Sequence, residues 1–270
     1  MKAEDVLGLM VPVTYFVLLL SERIWPAREF PPRKRWQWLG VAFLVVTGTI
    51  ATITPLLLPQ DWLMAHRWLD GSGLGVIGGT VVGFVVFEGV LYGYHRAAHR
   101  FPFLWRLGHQ VHHGPQRVDI PGGVIFHPVE MIIQVTLQIV VSVIVLGLDP
   151  LAGAIMGYLF AFYGLFQHWN VRTPQWLGYI IQRPESHCIH HQLGIHYFNF
   201  ADLPVWDILF GTFRNPRQFG GRCGFDATAD RKLGAMLAFQ DVNAPLYGPG
   251  SRGQKIRRET TGAAAGASAG

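Results

Sequence analysis

Five long apolar runs alternate with shorter polar stretches along the 270-residue chain. The runs cover residues 6–22, 36–58, 71–94, 129–148 and 151–168. At about 1.5 Å per helical residue, each spans or nearly spans a hydrocarbon core of about 30 Å. The sequence Gly147-Leu148-Asp149-Pro150 separates the last two runs and predicts a tight turn between them. The pattern therefore predicts an all-α, integral-membrane bundle of about four to five apolar helices, one pair of which forms a hairpin.

The predicted hairpin also determines which polar stretches share a face of the membrane. Because its two helices cross the membrane and return, the polar stretches before and after it lie on the same side. If that side is cytoplasmic, only Lys2 and Arg67 of the 22 Lys and Arg residues fall outside, as the positive-inside rule requires. We therefore expect a cytoplasmic helical cap on the bundle.

The same pattern predicts how the chain is organised. We expect four segments: N-terminal transmembrane helices at 1–84, a catalytic domain at 85–215, a C-terminal cytoplasmic segment at 216–247, and a disordered Gly/Ala-rich tail at 248–270.

Composition narrows the class of protein further. Only 14% of the residues are charged and the mean hydropathy is +0.26, whereas a soluble domain has about 25% charged residues. The net charge of +5 follows from basic residues that flank apolar segments, so we expect membrane and lipid contacts and no nucleic-acid partner. Cys188 and Cys223 are too few for a disulfide framework and form no CxxC pair.

Histidine supplies the chemical signal. Eight of the 12 histidines fall into three short clusters with HxxxH or HxxHH spacing: His95 and His99; His109, His112 and His113; His187, His190 and His191. On a helix, positions i, i+3 and i+4 converge on one face. So many imidazoles near a membrane surface would be costly to desolvate and would repel one another when protonated, which metal coordination would relieve. Eight ligands are too many for one ion, so the clusters predict two metals, with Fe, Zn, Cu and Ni all compatible.

Further residues are candidates for additional roles. His168 lies on the correct side to provide a ninth ligand, and His127 and His196 are candidates for ligands or for partners of ligands. Metal-bound imidazoles need an acceptor for their other nitrogen. The candidates for this role are Glu88, which is two helical turns before His95, together with Glu130, Glu185, Asn170, Asn199 and Asp207. His66 is expected at the opposite interface, and Cys188 is interpreted as structural.

Two classes of function that use metal-binding residues in a membrane can be compared with the sequence. A membrane divalent-metal transporter would place ionisable residues midway along its spans, and only Glu88 approaches that position. A zinc-dependent membrane hydrolase would favour an HExxH motif, which the sequence lacks.

Six segments resemble, in order, those of the fatty acid hydroxylase superfamily, which includes sterol desaturases. They are EGVLYGYHRAAH from Glu88, LWRLGHQVHH from Leu104, FHPVE from Phe126, FQHWNVR from Phe166, PESHCIHH from Pro184 and LPVWDILFGTF from Leu203. The resemblance covers about residues 85–215. We call the three histidine clusters the first, second and third boxes, in chain order. The HxxxH spacing of the first box favours the sterol desaturase-like branch.

The resemblance implies a non-haem di-iron oxygenase that uses O2 to hydroxylate or desaturate a C–H bond of a sterol or fatty-acyl lipid. The implied iron ligands are the eight clustered histidines together with His168. Electrons would come from a separate reductase system, because the chain contains no flavin or dinucleotide fingerprint and no cytochrome-like domain.

Overall fold

The structure, a computed structural model, describes residues 3–243, and helices account for nearly all of its regular structure. Its single β-type pairing within this range is an isolated bridge between Gln192 and Cys223. The helices are α1 (Ala3–Ile24), α2 (Trp36–Leu57), α3 (Gln60–Ala65), α4 (Gly75–Arg100), α5 (Pro102–Leu104), α6 (Gln110–His113), α7 (Pro128–Ile139), α8 (Pro150–His168), α9 (Pro184–His190), α10 (Pro204–Leu209) and α11 (Leu233–Leu237). The predicted all-α class is confirmed.

Five of the helical segments are long and apolar enough to cross a membrane. They are Val6–Ile24, Trp36–Leu57, Gly71–Arg100, Pro128–Val145 and Pro150–His168. The third consists of the 3-10 turn Gly71–Leu74 followed by α4, and the fourth of α7 followed by the π-helical turn Val140–Val145. All five predicted spans are present, and α4 continues beyond Tyr94 so that its last two turns carry His95 and His99.

The turn between the last two spans forms where it was predicted. Gly147 has φ +57°, and a Cβ on it would lie 2.2 Å from the carbonyl oxygen of Leu69, so only glycine fits. Asp149 then caps α8 by accepting a hydrogen bond from the Leu151 amide. Of the two helices that this turn joins, α7 packs mainly on α2 and also on α4, while α8 packs on α1 and α4. The two helices of the predicted hairpin are therefore joined by a tight turn, but each makes most of its contacts with other helices.

Glycines on α4 let α8 and the residue Leu148 just before it approach closely. A Cβ on Gly83 would lie 2.6 Å from a Leu148 methyl carbon, and one on Gly79 would lie 3.1 Å from the Ala152 Cβ. Small residues permit this kind of close helix contact within a membrane. The α4–α8 contact fixes the ends of both helices next to each other.

The polar stretches before and after the last two spans meet at one end of the bundle. The C-terminal ends of α4 and α8 and the N-terminal end of α7 lie there, and α6 and α9 pack between them. Buried Glu22 links the end of α1 to this region, because its carboxylate accepts hydrogen bonds from the amides of Ile120 and Asn170. The predicted meeting of the histidine clusters is confirmed.

The proposed division of the chain at residue 84 stays a prediction, and α4 runs across that position without interruption. The tail predicted at 248–270 and the last residues of the segment predicted at 216–247 lie outside the described residues.

Candidate metal centre

Nine imidazoles converge into two adjacent groups at this end of the bundle. The five-histidine group contains His95, His99, His109, His113 and His190, and the four-histidine group contains His112, His168, His187 and His191. Within each group, one nitrogen from every ring lies within 4.8 Å of the others. These are the nine residues predicted as metal ligands, and all except half-buried His95 are buried.

The groups divide each HxxHH box between them, although its three histidines were expected to converge on one helical face. His109 and His113 point into the five-histidine group, whereas His112 points into the four-histidine group. In the third box the division is reversed, with His190 in the five-histidine group and His187 and His191 in the other. Neighbouring residues diverge by about 100° around a helix, so each HH pair reaches two separate centres.

Four of the nine rings have their Nδ1–H anchored, which aims their Nε2 atoms inward. The Nδ1 of His95 donates to the Phe200 carbonyl at 2.6 Å, and that of His190 donates to the Phe198 carbonyl at 2.8 Å. The Nδ1 of His109 donates to Glu130 Oε1 at 2.6 Å. His112 donates to the Ile125 carbonyl over a longer 3.3 Å. Fixing one nitrogen of an imidazole determines which nitrogen is left for a metal.

The remaining nitrogens are buried together with few conventional partners. Both nitrogens of fully buried His113 lack a hydrogen-bond partner, and so do the Nε2 atoms of His95 and His190. In the four-histidine group, the Nε2 of His187 lies 3.0 Å from those of both His168 and His191. Leaving a buried polar atom unpaired costs about 1–3 kcal/mol, and a metal ion would satisfy these lone pairs.

Burial also keeps five rings of the second and third boxes in the form that binds metals. Desolvation lowers the pKa of five imidazoles well below the ordinary value, with neighbouring imidazoles adding to the effect: His112, His113, His187, His190 and His191. A neutral imidazole keeps a lone pair for coordination. These rings are therefore neutral at physiological pH.

Among the predicted partners of the ligands, Glu130 contacts a ligand directly and Asp207 acts through the backbone. Glu130 lies in the first turn of α7 and accepts the hydrogen bond from His109 Nδ1. Asp207 accepts hydrogen bonds from the amides of Phe200 and Ala201, each at 2.9 Å. It thereby holds the loop whose Phe200 carbonyl orients His95.

Glu88 has a different role from the one predicted. Its Oε2 accepts hydrogen bonds from the amides of Asp202 and Leu203 at 2.9 and 3.3 Å, so it satisfies the backbone of a buried loop. Neither of its carboxylate oxygens bonds to an imidazole.

The other predicted partners hold the loops around the centre. Asn170 is paired with the backbone of Arg28, and Glu185 with Thr173 and Arg183. Asn199, in a left-handed conformation with φ 58°, donates to the Ser186 carbonyl at the start of α9.

His127 lies outside both groups, which excludes it as a ligand in this arrangement. Its Nδ1 accepts from the Val129 amide at 3.1 Å and caps α7, and its Nε2 donates to the Leu237 carbonyl at 3.2 Å. His196 lies beside the five-histidine group, where its ring stacks on that of His99 and its Nδ1 donates to the His190 carbonyl. His66 is exposed and stacks on Trp62.

Several positioning groups were not found by sequence reasoning. The carbonyls of Ile125, Phe198 and Phe200 orient three of the rings, and the Phe126 ring stacks on His112 with a centroid separation of 4.1 Å. A carbonyl is present at every residue, so nothing in the sequence distinguishes these three. The motif FHPVE marked the position of Phe126, but it gave no indication of stacking.

Residues 80–212, which include all nine clustered imidazoles, match the model of the family described as fatty acid hydroxylase. This part of the chain belongs to the fatty acid hydroxylase family. The chain is also 31% identical over 183 residues to ornithine lipid hydroxylase OlsE of Rhizobium tropici, an alignment that covers 66% of this chain and 52% of that protein. It is 28% identical over 140 residues to sphinganine C4-monooxygenase 1 of Arabidopsis thaliana, covering 49% and 53% of the two chains. The chain thus spans about half the length of these curated relatives, and no solved structure matches it.

The resemblance of the sequence to this family is therefore confirmed. In this member, two groups of imidazoles, all buried except half-buried His95, form an all-nitrogen donor set at the polar ends of apolar helices. Imidazole suits Fe, Zn, Cu and Ni. The residues fit two metal ions, and their geometry does not choose the element.

Close packing at Gly123 leads to a prediction for the four-histidine group. A Cβ at this position would lie 2.9 Å from the His168 Cβ and 3.0 Å from its Cγ. We expect Gly123→Ala to displace the His168 ring, destabilise the fold by about 1–3 kcal/mol and lower metal content in the four-histidine group. Thermal unfolding in detergent and metal analysis per chain measure both effects.

Gly164→Ala is the matched control, because it lies on the same helix as His168 and has open space around its Cβ position. It should load metal like the parent protein. Unchanged metal content in Gly123→Ala would contradict the packing argument.

Proposed function

We propose that this protein is a membrane-bound di-iron oxygenase that uses O2 and externally supplied electrons to hydroxylate a C–H bond of a lipid. The observation that carries the proposal is the arrangement of nine imidazoles in two adjacent groups, with buried nitrogens directed toward each other. The stacked rings of His113 and His191, with centroids 4.1 Å apart, bring the two groups into contact. Two metal ions held there would lie next to each other.

The chemistry of the donor set fits redox-active ions. Iron bound by these imidazoles would supply the oxidising chemistry needed to activate O2 toward an unactivated C–H bond. Neutral ligands leave the positive charge of a bound ion uncancelled, and the buried site excludes bulk water from it. The protein itself orients the rings through Glu130 and the carbonyls of Phe198 and Phe200.

A lipid substrate is supported by the position of the site and by the relatives. The histidines lie at the ends of α4 and α8, both of which belong to apolar spans, so an elongated apolar molecule could reach the site from within a leaflet. The two relatives are described as a hydroxylase and a monooxygenase, which favours insertion of oxygen over desaturation. The substrate is accordingly proposed as a lipid of sterol or fatty-acyl type, with a separate reductase as electron donor.

The positive-inside pattern supports a cytoplasmic position for the histidine end of the bundle. A soluble reductase could then reach the same face. Labelling of an introduced exposed cysteine at Arg231 from one side of sealed vesicles would test this orientation.

A membrane metal transporter would need ionisable residues that line a path through its spans. Glu88, the ionisable residue near the middle of a predicted span, is engaged with the amides of Asp202 and Leu203. It therefore satisfies protein backbone and does not line an ion path with other charged groups.

Metal content and turnover together test the proposal. We expect about two irons per chain by elemental analysis, a coupled iron pair by Mössbauer spectroscopy, and an O2- and reductase-dependent lipid product heavier by one oxygen atom. Labelled O2 should place its isotope in that product. A single zinc per chain, or product oxygen derived from water, would refute the oxygenase.

A further inference from the structure

An uncharged, exposed surface lies against α4, before the turns of that helix that carry His95 and His99. Its first part is the segment at 175–180, in which Trp176, Tyr179 and Ile180 are exposed. Its second part consists of α10 and Phe210, and its exposed side chains are Val205, Ile208, Leu209 and Phe210. Each of these side chains exposes 51–67% of its surface, and the two parts pack against each other. We call this surface the apolar platform. An apolar patch of this kind on a folded protein marks an interaction site.

The platform is held against α4 far from the polar end of that helix. The indole N–H of Trp206 donates to the Val85 carbonyl at 3.2 Å, and a Cβ on Gly89 would lie 2.7 Å from the Trp206 ring. Phe210 stacks on Tyr92 with centroids 5.0 Å apart. Val85 and Gly89 precede His95 by ten and six residues, or about 15 and 9 Å along the helix. Thus α10 lies alongside residues of α4 that belong to the apolar span Gly71–Arg100.

The polar groups of this region are arranged for an environment without water. Asp207, the single charged residue of α10, is fully buried and accepts the amides of Phe200 and Ala201. Glu88 accepts the amides of the next two residues, Asp202 and Leu203. Non-helical backbone is tolerated at membrane depth only when the protein supplies hydrogen-bond partners for its amides and carbonyls. The two buried carboxylates accept hydrogen bonds from all four amides of the turn that leads into α10.

We infer that the apolar platform is a re-entrant element immersed in the leaflet on the histidine side, where it contacts lipid acyl chains. Its exposed face continues the apolar strip of α4, on which Val81 and Val85 are also exposed. Trp176 and Tyr179 match the amphipathic aromatic residues that are enriched near membrane interfaces. The loop that orients His95 is thereby attached to an element bathed in lipid. A second copy of the chain is the competing occupant of this surface.

Spin labels can measure what surrounds the platform without any need for iron or turnover. Nitroxides would be attached to Trp176→Cys, Ile208→Cys and Leu209→Cys in nanodiscs that contain phosphatidylcholine and phosphatidylglycerol. Val81→Cys on α4 is the lipid-facing reference, and exposed Arg231→Cys is the aqueous reference. Native Cys188 and Cys223 are buried, so the introduced thiols are the accessible ones. Power saturation then reports access to O2 and to a water-soluble nickel chelate.

We expect the three platform labels to resemble the label at Val81, with high O2 access and at least about 10-fold less access to the nickel chelate than at Arg231, because charged complexes are excluded from hydrocarbon. If two or more platform labels were as accessible to the nickel chelate as the label at Arg231, the platform would lie in water and the inference would be overturned. Exclusion of both reagents, with dipolar broadening between labels, would indicate a second protein copy and would also overturn it.

Discussion

Replacement of His113 by alanine is expected to lower lipid turnover by at least about 1,000-fold, which corresponds to about 4 kcal/mol in activation free energy. His113 is fully buried, neither of its ring nitrogens has a hydrogen-bond partner, and its ring stacks on His191 of the other group. Its loss therefore removes one donor from the five-histidine group and also disturbs the contact between the groups. Iron per chain, measured by elemental analysis, should fall together with turnover.

Two other histidines provide matched controls for His113→Ala. His66→Ala alters an exposed ring that stacks on Trp62. His127→Asn keeps a side chain able to cap α7, since asparagine is among the favoured capping residues. Both variants should retain iron and most of the activity. If His113→Ala kept two irons and normal turnover while folding like the parent, its assignment as a ligand would be wrong.

A graded pair of substitutions at Glu130 has the second largest expected effect. Glu130 is fully buried and accepts the Nδ1–H of His109 at 2.6 Å. Carboxylates in this position make a ligating imidazole more basic and fix its orientation, and their loss costs about 10- to 100-fold in metal affinity or activity. We expect Glu130→Gln to lower metal affinity by about 10-fold, because its amide oxygen still accepts a hydrogen bond. We expect Glu130→Leu to lower it by about 100-fold, because the His109 Nδ1–H then has no acceptor.

Chelator competition measures iron affinity in both Glu130 variants, and Mössbauer spectra report the change at the ion itself. A merely structural role would lower the unfolding temperature without changing the spectrum of the iron that remains. Glu29→Gln alters an exposed glutamate and serves as the control. Equal affinities in Gln, Leu and parent proteins would contradict a positioning role for Glu130.

The predicted site and the observed one agree where the signal was a side chain type at a regular spacing. Imidazoles are rare and chemically distinctive, so their clustering identified eight of the nine members of the two groups, and the position of His168 on the same side of the membrane added the ninth. The role of Glu88 could not be predicted, because its partners are amides that lie 114 and 115 residues away in the sequence. The sequence left the role of His127 open for a related reason: its partner is the carbonyl of Leu237, which belongs to a helix remote in the sequence.

The sequence by itself determined the five apolar spans, the turn at Gly147 and the set of imidazoles, because hydrophobic length, turn chemistry and residue type are local properties. Only the tertiary structure decided that each HxxHH box divides between two groups, and that α7 packs mainly on α2 whereas α8 packs on α1 and α4. It also decided that α10 returns alongside α4. These outcomes depend on which carbonyls, carboxylates and small residues meet across long separations in the chain, and such meetings are fixed by packing.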